Sequence, residues 1–105
     1  MPKEAVIRKK ATKILEDGRW LVWRGPKIKF RQTDIFGVFD MICWQKGTSN
    51  LKFIQLTTLP NLSTRRKKIN NFFKKNKINR KGKNGIKAEI WGWSKKGKNF
   101  KIELI

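Results

Sequence analysis

The sequence predicts an α/β protein of the α+β kind: a mixed sheet with an N-terminal helix, a central β-hairpin, a second helix and a C-terminal hairpin. Three observations predict it. Apolar residues recur at helical spacing in two stretches, one near the N-terminus and one past the middle. Between and after them lie short runs rich in aromatic and β-branched residues, separated by Gly, Asn and Pro. Finally, 105 residues that are 38% hydrophobic, with five Trp and seven Phe, suffice for one modest core and one domain, 1–105.

The elements follow in order. From Lys3 to Gly18, Val6 and Ile7, Ala11, then Ile14 and Leu15 share one helical face, with Pro2 suited to the start and Gly18 to the stop. "RWLVWR" (19–24) is a strand, broken by Gly25 and Pro26. "KIKFRQ" (27–32) alternates as a half-exposed strand does. "TDIFGVFDMICWQ" (33–45) reads as a longer, more buried strand, with Gly37 marking a bulge or a close backbone approach; 27–45 is otherwise one continuous strand. "KGTSN" (46–50) turns the chain into a second buried strand, "LKFIQLTT" (51–58). The period then lengthens: Leu62, Ile69, Phe72 and Phe73 form a helix stripe that Asn61 or Ser63 would cap. A basic loop (77–85) leads to a final hairpin of 86–93 and 99–105.

Charge is the largest physical fact. With 27 Lys plus Arg against seven Asp plus Glu, the chain carries +20. Such self-repulsion costs stability and points to a polyanionic partner, nucleic acid before an anionic membrane, because the basic residues are spread along the chain. No stretch approaches a membrane span and no signal peptide is evident, so an intracellular, cytoplasmic protein that does not act at a membrane is expected. There is no His and one Cys, Cys43, which excludes a structural zinc site and makes Cys43 a small buried hydrophobe.

The scarce acids are informative. Between Asp17 and Glu89 only Asp34 and Asp40 occur, both in the apolar run. Pairing about the 46–50 turn sets positions near 44 against 52 and near 40 against 56, so Asp40 falls close to Gln55 and Thr57. A carboxylate and an amide oxygen meeting there suit a hard divalent cation such as Mg²⁺; the bland alternative is a strand-end Asp beside a Gln bonded to backbone. On an extended strand Asp34 would stand about 20 Å from Asp40, too far to share an ion, and reads as a turn residue.

A helix with an early acid, then "FDMICWQKGTSNLKFIQLTT" (39–58), then a basic helix, resembles the PD-(D/E)xK nuclease superfamily and, within it, small archaeal-type Holliday junction resolvases. The resemblance covers roughly residues 3–75. It implies a restriction-endonuclease-like core and Mg²⁺- or Mn²⁺-dependent hydrolysis of phosphodiesters in DNA, duplex or branched. It also implies a homodimer. Asp40 matches the motif aspartate, Gln55 the Glu or Gln position and Thr57 the position usually held by Lys. Glu4 matches the acid on the first helix. Asp40, Gln55, Glu4 and the Leu56 backbone carbonyl would then be metal ligands, with Lys68 on the second helix supplying the cation that Thr57 lacks. A site with Gln55 and Thr57 is short of charge, so the alternative is a catalytically inactive nucleic-acid-binding module on the same fold. A ribosome-associated or RNA-binding protein is a third class.

For the nucleic acid itself the expected contacts are Arg65, Arg66 and Lys67 on the second helix, together with Lys27, Lys29 and Arg31 on one strand. Arg80, Lys81 and Lys83 in the loop complete the set. Trp91 and Trp93 share a strand face; core or dimer packing is the main reading and stacking on unpaired bases the other.

Overall fold

A computed structural model describes residues 4–24, 27–28, 31–32, 35–36, 38–48, 50–78 and 87–105. Helix α1 (Glu4–Asp17) leads into strand β1 (Trp20–Arg24). Then come β2 (Lys27–Ile28), β3 (Arg31–Gln32), β4 (Met41–Gln45) and β5 (Leu51–Thr58). A 3-10 turn (Leu59–Asn61) opens α2 (Leu62–Lys75), and β6 (Lys87–Ser94) and β7 (Asn99–Leu104) follow. Five strands form one mixed sheet in the order β1-β4-β5-β6-β7, while β2 and β3 make a separate small hairpin. The class is α+β: one mixed sheet and two helices. Only β5 and β6 run parallel, because α2 carries the chain back across the sheet between them.

Side-chain alternation gives the sheet two buried faces. Ala11 and Leu15 of α1 close on Met41, Cys43, Ile54, Leu56 and Trp91, with Trp20, Val22 and Phe100 at the margin. Only one ridge of the helix reaches the sheet, so Val6 and Ile14, expected in the stripe, stay exposed. On the other face α2 sets Leu62, Ile69 and Phe73 against Phe39, Ala88 and Ile90. Its approach is tight at Gly92, where an added Cβ would meet Leu62 Cδ1 at 2.9 Å. Among the described residues no helix is long and apolar enough to cross a membrane.

Four local expectations are corrected. Residues 27–32 are two paired two-residue strands, not one strand. Among the described residues of 33–45 only Met41–Gln45 form a strand, Thr33, Asp34 and Gly37 lying outside them: Ile35 N donates to Phe39 O (2.6 Å) and Phe39 N to Ile35 O (2.9 Å), which folds the chain back. Phe36 sits there at φ 56°, a left-handed conformation that no regular strand accommodates. At the end of α1 the left-handed residue is Arg19 (φ 68°), one place after Gly18. At the start of α2 neither expected cap acts: Asn61 holds the N-cap position without a side-chain cap bond, its Nδ2 donating instead to Thr58 Oγ1 at 3.1 Å.

Beneath α1 a charged pair crosses the sheet. Lys52 Nζ lies 3.1 Å from Glu89 Oε1 and 4.1 Å from the centre of the Trp20 ring, and Trp91 Nε1 donates to the same Glu89 oxygen at 3.0 Å. Cys43, beside Lys52 in the register, is fully buried, and desolvation pushes its thiol from 9.0 up to about 11, Lys52 pulling it partly back. A raised thiol pKa contributes stability that is complete below pH 9.0 and lost as pH rises through about 11. The linked loss is about 3 kcal/mol. Urea unfolding of wild type and Cys43→Ala across that range checks it: the two curves should converge as pH rises, lysine titration being common to both. A constant gap would contradict it.

Candidate functional site

The hairpin of β4 and β5 builds the site. Gln45 N donates to Asn50 O (3.0 Å), so Asn50, just before β5, already bonds across the hairpin instead of belonging to the turn. Register therefore runs Trp44↔Leu51 to Met41↔Ile54, one place from the expected pairing of 44 with 52. The shift matters because side-chain period is two; the ladder ends at Met41, and beyond it Asp40 N donates to Ile54 O at 2.8 Å, which keeps Asp40 beside this end of β5.

Asp40 and Gln55 are buried, at 3% and 5% exposure. Gln55 Nε2 donates to Asp40 Oδ2 at 3.0 Å and to its neighbour's carbonyl, Leu56 O, at 2.8 Å. Leu56 N donates to Asp40 Oδ2 at 2.7 Å. Three of the four groups named as ligands thus meet at one point, Glu4 not among them, and the bland reading of a Gln bonded to backbone is met by the same contacts. Which end of the Gln55 amide is oxygen follows from the bonds it makes. With the amide turned over, its oxygen would take the place of Nε2, at the same 3.0 and 2.8 Å from two other oxygens. Neighbouring oxygens about 2.9 Å apart are what Mg²⁺ gathers in an octahedron of roughly 2.0–2.1 Å bonds. In donor type the cluster suits a hard cation, though with a single carboxylate. Among the described residues no group of three or more His, Cys, Asp or Glu is placed to hold a metal.

The remaining site residues are spread more widely. Thr57, half-buried, follows Gln55 by two places on the same face of β5, opposite Gly92. Lys68 is exposed on α2. Glu4 opens α1, its side chain outside the described residues, as Asp34 is altogether. The fold-back at 35–39 removes the extended strand on which the Asp34–Asp40 separation was reckoned.

No protein-family model, curated protein or solved structure matches the chain. The site must be judged on its own chemistry.

Of the expected nucleic-acid contacts, Lys67 is exposed and Arg65 half-exposed on α2. Arg66 is engaged within the protein: its guanidinium pairs with Glu103 of β7, Nη2 donating to Oε2 at 2.7 Å. That bond holds the Glu103 carboxyl below the usual carboxylate range, with Lys101 adding to the effect. The side chains of Lys27 and Arg31 lie outside the described residues, as do Lys29, Arg80, Lys81 and Lys83. Trp91 and Trp93 are buried against Phe100, with ring centres 5.3 and 5.0 Å away, so they pack within the core and offer no face to a base.

Two features escaped the sequence reading. Lys9, Lys10, Lys13 and Arg24 line a groove between α1 and the end of β1; helical spacing of the lysines was visible, but not that β1 would bring Arg24 to them. Arg8 is the one buried cation of α1, and it lies one turn after Glu4. Nothing in a lysine-rich helix distinguishes the basic residue that turns inward.

Proposed function

We propose that the chain is a metal-dependent DNA endonuclease of the PD-(D/E)xK type, with Asp40, Gln55 and the Leu56 carbonyl as its metal-binding core. The observation that carries this reading is the convergence of those three buried groups in a protein of net charge +20. Setting aside the separate β2–β3 hairpin and the closing β7, the element order supports a restriction-endonuclease-like core: a helix, three antiparallel strands (β1, β4, β5), a helix, then β6 parallel to β5. A bound Mg²⁺ or Mn²⁺ would supply an activated water and charge neutralisation at the phosphate.

This chain's own residues divide the rest. Asp40 supplies the negative charge, and Gln55 offers a neutral oxygen once its amide turns over. Glu4 is the candidate second carboxylate, and Thr57 and Lys68 are the candidates for steadying the nucleophile and the phosphate. With so little protein charge at the core, the DNA phosphate itself completes the ligand set, so cation and DNA bind cooperatively. Lys9, Lys13, Arg24, Arg65 and Lys67 steer the backbone, and affinity falls steeply with salt.

The second reading, a non-catalytic binding module, is favoured by one observation: Asp40, Gln55 and Leu56 already satisfy one another without a cation. The two are separated by incubating a labelled four-way junction and a matched linear duplex with Mg²⁺, Mn²⁺ or EDTA. Wild type should nick DNA in either metal and Asp40→Asn in neither. Tight binding with no cutting in any metal establishes the second reading.

A further inference from the structure

On the sheet face that α2 covers at β5 and β6, no element among the described residues covers the β1–β4 half. Leu21 and Trp23 of β1 are 57% and 53% exposed, Trp44 of β4 is 52% exposed, and Leu51 is exposed beside it. The register Leu21↔Trp44, Trp23↔Ile42 and Trp44↔Leu51 puts these residues on one face. Trp23 and Trp44 are therefore diagonal neighbours, about 7–8 Å apart. Trp44 is already held: its Nε1 donates to Thr48 O at 2.6 Å, fixing one edge of the ring while leaving the rest exposed. A pre-set ring loses little freedom on stacking.

Charge identifies what covers this face. β1, β4 and β5 contain no acidic residue, and exposed Arg19 and Lys46 meet at one end, Lys46 N donating to Arg19 O at 2.9 Å. A second copy would bring +20 against +20, whereas a polyanion with flat apolar rings satisfies both the cations and the indoles. Ile42 and Trp44 share this face of β4, and Asp40 immediately precedes the strand, so four residues of chain at strand rise put Trp44 within about 13 Å of it.

Resting on the nucleic-acid reading above, we infer that Trp23 and Trp44 form a stacking platform for unpaired bases, which makes the preferred substrate DNA with a single-stranded segment beside the candidate site. Base–aromatic stacking tolerates any sequence, so the platform selects strand state rather than base identity.

The test is fluorescence anisotropy with labelled oligothymidylate and with a duplex of equal length in EDTA, for wild type, Trp23→Leu, Trp44→Leu and Trp44→Phe. Each Leu variant should lose roughly 5- to 100-fold in single-strand affinity with duplex affinity unchanged, and Trp44→Phe should recover most of the loss. Thermal melting establishes that the variants remain folded. Single-strand affinity that ignores both substitutions overturns the platform while leaving the nucleic-acid reading intact. Wild type that binds neither probe overturns both. Leu variants that change a dimer to a monomer by sedimentation, with single-strand affinity unchanged, assign the face to a second copy instead.

Discussion

Asp40→Ala should cost roughly 2–6 kcal/mol in stability, because it strips the buried Leu56 N–H and the Gln55 amide of their shared acceptor at about 1–3 kcal/mol each. Both bonds end on Oδ2. An asparagine that places its carbonyl oxygen there keeps both, removes the charge and turns the other oxygen into an amide NH2. Asp40→Asn should therefore unfold in urea close to wild type, within about 1 kcal/mol, yet show no metal-dependent cleavage and no metal-induced rise in melting temperature. The contrast matters because a protein of this size has roughly 5–15 kcal/mol to lose. Loss of activity in Asp40→Ala alone would not separate a missing ligand from a loosened hairpin. If Asp40→Asn still cuts DNA, the carboxylate is structural and the proposed site is wrong.

The second large effect is expected from Phe39→Ala, at about 3–5 kcal/mol. Phe39 is buried among Phe53, Phe72 and Phe73, with ring centres 5.1, 6.1 and 6.0 Å away. It precedes Asp40 and belongs to no regular strand, so aromatic packing against α2 anchors the backbone that presents the carboxylate. Urea midpoints at unchanged slope measure the loss. Phe39→Leu, which fills much of the space, should recover more than half of it. A Phe39→Ala protein as stable as wild type would mean that the fold-back is held by its backbone bonds alone.

Local pattern revealed much of this fold. The stretch 51–58 was legible as a strand because turn residues bound an apolar run at each end, and both helices were legible because Ile7, Ala11, Leu15 and Leu62, Ile69, Phe73 keep helical spacing. Proximity of Asp40 to Gln55 followed from hairpin closure alone. The fold-back at 35–39 was not legible, since a short apolar run has no period to separate a strand from a buried turn. Nor was the one-place register, which depends on whether Asn50 pairs or turns. Arg66 with Glu103 and Lys52 with Glu89 are each 37 residues apart, and such pairs are set by the parallel crossover, which no local pattern encodes. The same limit hid the choice among five tryptophans: alternation pairs Trp91 with Trp93 and Trp20 with neither Trp23 nor Trp44, but only sheet order shows that β1 is an edge with one face uncovered among the described residues.

That sheet order also has a history in time. β5 sits at the centre of the sheet, and its second neighbour, β6, is reached only after α2 and the basic segment behind it. During synthesis the hairpin of β4 and β5 can close at once, while the far edge of β5 stays open until the last quarter of the chain emerges. Parallel pairings across such a gap are slow to form, and an open apolar strand edge is a template for a neighbouring chain. Folding is therefore most vulnerable to self-association in the interval before β6 docks, when mutual repulsion among the many lysines is what keeps nascent chains apart.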